Sequence, residues 1–127
     1  MIVLLGQNKN DNRGKKDMKL KKIADELNLE LVGGYYDENR EVDGAYIGDL
    51  LSIVMSKAKE NNIWITIQTH LNVVAVATLV GISCIIVAED MKIDHDTIEK
   101  ADEVEIPIFR SSLNSYELAC KLKELGV

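Results

Sequence analysis

The sequence predicts a three-layer α/β domain, a mostly parallel sheet of four or five strands with helices on both faces. Three observations point there. Runs such as "IWITI", "SCIIVA" and "IPIF" are apolar at consecutive positions instead of alternating, which is how strands buried on both faces read. Between them lie stretches with apolar residues at helical spacing, so strand and helix alternate from "GAYIG" onward. The chain has 127 residues, 46% of them hydrophobic, enough for one core that needs no disulfide support.

The first segment is different in kind. "GQNKNDNRGKKD" is polar and has no period, so residues 1–17 are expected to form a leader outside the fold, with the domain over residues 18–127. Ile2 to Leu5 is at most a short strand. A phosphate loop needs four residues between its glycines and a closing Lys-Ser/Thr pair. Seven residues separate Gly6 from Gly14, and Lys15 is followed by Lys16, which cannot ligate Mg²⁺. Arg-Gly codons can spell a ribosome-binding sequence, which makes Met18 the expected start of translation.

From Met18 the elements follow in order. Leu20, Ile23, Ala24 and Leu27 form one helical stripe. "LELVGG" reads as a strand ended by Gly33-Gly34, and "YYDENRE" as a polar link. "GAYIG" is a short strand, after which Asp49 caps a helix with Leu50, Leu51, Val54, Met55 and Ala58 inward. "ENN" stops it, and "IWITI" is the next strand. Thr69 or Asn72 is expected to cap "NVVAVATLV", which ends at Gly81. The strand "SCIIVA" leads to a helix opened by Asp94 or Asp96, with Ile98, Ala101 and Val104 inward. "IPIF" carries Pro107, which suits a first strand residue or an edge. Asn114 or Ser115 opens the last helix, with Leu118, Leu122 and Leu125 inward and Gly126 past its end.

The helix after "IWITI" has almost no polar face. A helix apolar all round is buried all round. The expectation is therefore a homodimer with Val73, Val76, Ala77 and Val80 at the seam. The alternative is that neighbouring helices of the same chain cover it.

Several functions are disfavoured by composition. Net charge is −6; residues 1–17 carry +2, which leaves −8 on the body. Such a body repels phosphate backbones, so no nucleic-acid partner is expected. There is no membrane-length apolar run, nor a signal-peptide pattern at the start. Cys84 and Cys120 sit in apolar context without Cys-x-x-Cys spacing, as buried free thiols of a cytoplasmic protein do. His70 and His95 lack metal-ligand spacing. The acidic stretch Glu89, Asp90, Asp94 and Asp96 lacks the glycine and closing glutamate of a calcium loop and reads as a solvated helix start. Neither metal nor cofactor is expected.

In parallel sheets, ligands bind beyond the carboxyl ends of the strands. The residues placed there are Asp49, Gln68, Thr69, His70, Glu89, Asp90, Arg110, Ser111 and Ser112, with Asn72 at a helix start. They form the candidate site for a small, nucleotide-like ligand. The plainer reading is caps and loop hydrogen bonds. His70 has no serine or cysteine nearby in sequence to activate, so no catalytic residue is assigned.

"ADELNLELVGG", "VDGAYIGDLLSIVM", "WITIQTHLNVVAVA", "CIIVAED" and "IPIFRSSLNSYELACKL", in this order and spanning Met18 to Val127, together resemble the DRTGG domain, in particular its small stand-alone members. The resemblance implies a fold like the amino-terminal domain of HPr kinase/phosphorylase. It implies a regulatory, ligand-sensing module rather than a catalyst, of the kind found beside CBS domains in a regulated pyrophosphatase and beside phosphotransacetylase-type enzymes. Dimer contacts are plausible on the same basis. The kinase chemistry of HPr kinase belongs to another domain, with a phosphate loop that this chain lacks. The name-giving residues differ: Thr69-His70 stand at the Asp-Arg pair, and Ala88-Glu89-Asp90 at the Thr-Gly-Gly. The expected function is a homodimeric, non-catalytic regulatory module that binds a small molecule or a partner protein. The alternatives are an enzyme or enzyme subunit acting on a nucleotide or phosphate metabolite through His70, and a pure interaction scaffold.

Overall fold

The structure is a computed structural model that describes residues 18–127. The expectations of a leader over residues 1–17 and of a start at Met18 concern residues outside that range. Its elements are α1 (Leu20–Glu26), β1 (Glu30–Gly33), β2 (Ala45–Ile47), α2 (Leu51–Lys57), β3 (Ile63–Thr66), α3 (Asn72–Val80), β4 (Cys84–Val87), α4 (His95–Val104), β5 (Ile108–Arg110) and α5 (Ser115–Leu125). The strands form one sheet in the order β1-β5-β4-β3-β2. β2, β3, β4 and β5 run parallel, and β1 pairs antiparallel with β5 at one edge. This is the mostly parallel, helix-covered α/β sheet that the strand runs predict.

The continuous apolar runs are buried on both faces. All of β3 and β4 is buried. Alternate residues point to opposite sides of a strand. Ile63, Ile65, Cys84, Ile86 and Phe109 therefore meet Leu20, Ile23, Leu118 and Leu122 from α1 and α5. Trp64, Ile85, Val87 and Ile108 meet Val54, Val73, Val74, Ala77 and Ala101 from α2, α3 and α4. Trp64 is fully buried, and its Nε1–H donates to the Gly48 carbonyl at 2.9 Å. Truncating a side chain of this size costs about 3–5 kcal/mol in a core.

Several local expectations change. Asp49 does not cap α2; Leu50 is the residue before it, with no side-chain cap. Nor does Asn72 or Thr69 cap α3, whose N-cap position is Leu71. In α2 only Val54 is buried, while Leu50 and Met55 are exposed. Asp94 does precede α4, without a side-chain cap bond. Pro107 immediately precedes β5, which lies inside the sheet and not at its edge. The last helix is opened as read: Asn114 Oδ1 accepts from Glu117 N at 2.9 Å, and Glu117 Oε1 accepts from Asn114 N at 3.0 Å. That reciprocal cap contributes on the order of 1 kcal/mol. Gly34 has φ +79°, and a side chain there would collide with the Ile106 carbonyl, so this turn requires glycine.

One face of the apolar helix α3 finds its cover within the chain, while Ala75, Thr78 and Leu79 on the other side stay exposed. Val73, Val76 and Ala77 are buried, and α2 and α4 pack on either side of α3. These residues have no surface left for a second copy, and Val80 packs partly buried against the same cluster. The seam expected at Val73, Val76, Ala77 and Val80 is thereby corrected: the alternative of cover by neighbouring helices holds for this face.

The two cysteines also part ways, since Cys84 is buried and Cys120 exposed. Burial pushes the Cys84 thiol far above its ordinary range, opposed more weakly by the Arg40 charge. The folded state therefore resists ionising it, whereas the unfolded chain ionises it near pH ~8.5. Its contribution to stability is complete below that pH and declines as the pH rises further. Urea unfolding of the wild type should weaken above pH ~8.5 more steeply than that of Cys84→Ala. Parallel curves for the two proteins would contradict this.

Candidate functional site

The register aligns the carboxyl ends of the parallel strands. Ile47 lies opposite Ile65, Thr66 opposite Val87, and Val87 opposite Arg110. The segments that follow, at Asp49, Gln68, Glu89 and Ser111, consequently leave the sheet at one rim. Along it the predicted site residues fall into three groups.

The first group sits beyond β2 and β3. Asp49 Oδ1 accepts from Thr66 Oγ1 at 2.7 Å and from Ile67 N at 2.9 Å. Gln68 N donates to Thr66 Oγ1 at 3.1 Å, and Gln68 Nε2 donates to the Asp49 carbonyl at 3.0 Å. Asp49 and Gln68 thus tie two crossover loops together. The carboxylate that the sequence suggests as a helix cap is taken by the neighbouring strand end.

The second group joins the β3–α3 loop to the β4–α4 loop. The Thr69 carbonyl accepts from Thr97 Oγ1 at 2.8 Å and from Asp94 N at 3.4 Å. His70 Nδ1 lies 3.0 Å from Asp94 Oδ2. With Nδ1 protonated, that contact is a donated hydrogen bond that orients the exposed ring and turns Nε2 outward as an acceptor. The acidic cluster read as a mere helix start therefore supplies a partner for His70. The side chain of Asn72, exposed at the start of α3, joins neither group.

The third group lies beyond β4 and β5. Glu89 and Asp90 both have positive φ, 61° and 56°, the conformation that glycine adopts freely. L residues enter it at a cost of roughly 1–2 kcal/mol each. Their N–H groups donate to the carbonyls of Leu113 at 2.9 Å and Ser111 at 2.8 Å, so they do not face an open anion site. The Arg110 guanidinium lies between Glu30 (Nη2 to Oε1, 3.3 Å) and Asp90 (Nε to Oδ1, 3.5 Å). Nε is shielded from solvent and has no aligned hydrogen bond; its contact with Asp90 is Coulombic only. Buried Ser111 accepts from Leu113 N at 3.1 Å.

A cavity of about 550 Å³ opens at this third group, within the range of small-molecule sites. Arg110, Ser111, Ser112 and Asp90 line it on one side, Glu26, Asn28 and Glu30 on the other, and Lys121 comes from α5. Asp49, Gln68, Thr69, His70 and Asn72 are not among its lining residues. Glu26, Asn28, Glu30 and Lys121 were not legible as site residues. The antiparallel pairing of β1 with β5 brings the first three to the rim, and nothing local in the sequence announces that pairing.

A rim of loops at the carboxyl ends of a parallel sheet, bordered by a polar cavity at Arg110, places the chain among small α/β domains. It belongs to the DRTGG domain family, whose profile matches residues 22–125. Among solved structures it is similar to the CBS and DRTGG domains of the regulatory region of Clostridium perfringens pyrophosphatase, complexed with the activator diadenosine tetraphosphate. The TM-score is 0.68 at 16% identity, covering 84% of this chain and 46% of that one. No curated protein matches. The letters of the DRTGG name do not occur together in this chain, and its Glu89-Asp90 turn has a glycine-type backbone.

The Asp49 knot yields a direct test. Asp49→Ala removes the acceptor of two hydrogen bonds, one from buried Thr66, and should destabilise the domain by about 2 kcal/mol. Asp49→Asn keeps Oδ1 as an acceptor and should recover most of that loss in urea unfolding. Equal losses in both variants would mean that the charge, not the acceptor geometry, holds the two loops.

Proposed function

We propose that this chain is a non-catalytic regulatory module that senses a small molecule at its rim and works as a homodimer in the cytoplasm. The observation that carries the ligand reading is the cavity at Arg110, Ser111 and Ser112, at the end of the sheet where ligands of parallel α/β folds sit. The family is a second support, because the similar pyrophosphatase region is regulatory and holds an activator. Free cysteines, one of them exposed, suit a reducing compartment.

A surface other than the Val73, Val76 and Ala77 face supports a dimer. Ile47, Leu50, Ile53, Leu71 and Leu79 are all exposed large hydrophobics, Leu50 at 65% and Leu79 at 73%. They belong to β2, α2, α3 and their connections. Residues 44–56 carry a single charge, Asp49, whose Oδ1 is engaged by Thr66 and Ile67. Two chains of net charge −6 repel each other, and they do so least across an uncharged face. A second copy is the occupant such a face suits.

A second reading is favoured by one contact. Asp94 beside His70 orients an imidazole as an acid–base group requires, which keeps open an enzyme acting on a nucleotide or phosphate metabolite. A scaffold that docks its apolar face on a partner protein is the third.

Thermal unfolding against nucleotides and polar metabolites separates these readings. A ligand at about 100 times its dissociation constant adds ~2.7 kcal/mol of stability. We expect a shift that Arg110→Gln abolishes and His70→Ala leaves intact. Turnover of a hit, lost in His70→Ala, would select the enzyme, and a panel without any shift would select the scaffold. In light scattering the wild type should have the mass of a dimer and the Leu50→Glu/Ile53→Glu variant that of a monomer. A monomeric wild type rejects the dimer.

A further inference from the structure

The lining of the Arg110 cavity has a charge pattern that goes beyond "small molecule". Arg110 is held between the carboxylates of Glu30 and Asp90. Lys121 enters from α5 and Glu26 from the end of α1. Among the described residues neither has an ion-pair partner. The wall therefore presents one free ammonium and one free carboxylate, flanked by the Asn28 carboxamide and the Ser112 hydroxyl. Its three carboxylates and two cations leave the lining one unit negative.

This pattern selects against polyphosphates. A negatively charged lining in a chain of net charge −6 repels a polyanion. The turn at Glu89 and Asp90, where glycines would let a phosphate approach, has its N–H groups bonded to Ser111 and Leu113. A ligand with both signs of charge meets a partner for each. Resting on the cavity reading above, we propose that this site takes a zwitterionic amino acid. Its carboxylate sits on Lys121 and its ammonium on Glu26, while its side chain lies toward Asn28 and Ser112. Charge-assisted contacts of this kind are the strong ones.

The test uses the full chain, titrated in separate calorimetric and thermal-unfolding runs with each standard L-amino acid and, as polyanions, with ATP and diadenosine tetraphosphate. At least one amino acid should bind and raise the melting temperature. Glu26→Gln and Lys121→Met should each weaken that binding about tenfold or more. Both residues lie on helix surfaces away from the core, so the variants should unfold with the wild type in the absence of ligand. Binding of a polyanion alone, lost in Arg110→Gln, would overturn the amino-acid assignment while leaving the cavity as the sensing site. Amino-acid binding that survives both Glu26→Gln and Lys121→Met would overturn it as well, since the ligand would then lie elsewhere. Absence of binding by every compound would overturn this assignment and the ligand-sensing function together.

Discussion

The burial of β3 and β4 on both faces is the constraint from which the remaining architecture follows. Ile63 to Thr66 and Cys84 to Val87 pair in parallel register, and every one of these residues is buried. Strands of this kind need a helical layer on each side, and parallel neighbours need long crossovers. Those two requirements bring α1 and α5 to one face and α2, α3 and α4 to the other. They also deliver every β-to-α loop to the same rim. The polar site is in that sense a by-product of an apolar rule, since hydrophilic residues far apart in sequence gather where the buried strands stop.

The rim then organises itself by mutual satisfaction. Asp49 binds the end of β3, the Thr69 carbonyl binds the start of α4, and Arg110 bridges the start of β1 and the β4–α4 loop. Each link joins two consecutive crossovers or an edge strand to its neighbour. Loops stitched in this way are preorganised, which lowers the ordering cost of holding a ligand. A rim of this kind suits recognition, since its acidic and basic side chains are fixed by one another and the cavity beside them retains the few that are not.

What the sequence made legible follows from the range of the interactions involved. Strand type, helix order and the common rim depend on local apolar patterns, and all are found. The capping box at Asn114 and Glu117 is likewise local and was readable. The role of Asp49 was not, because a carboxylate before a helix looks like a cap whether it turns to its own backbone or to Thr66, some 17 residues away. The antiparallel placement of β1 could not be read from "LELVGG", and with it went Glu26, Asn28 and Glu30. The α3 seam failed for another reason. An all-apolar helix suggests cover without saying by what; in this chain two helices of the same fold cover the Val73, Val76 and Ala77 face, and Leu79 stays exposed.

The turn at Glu89 and Asp90 carries a consequence for what its corner can hold. Its shape is held from outside, by the Ser111 and Leu113 carbonyls, and does not depend on having glycine in it. Chain-reversal geometry and residue identity are thereby uncoupled at this corner of the fold. The chemistry of that corner can therefore differ, acidic instead of small and neutral, while the scaffold beneath keeps its outline.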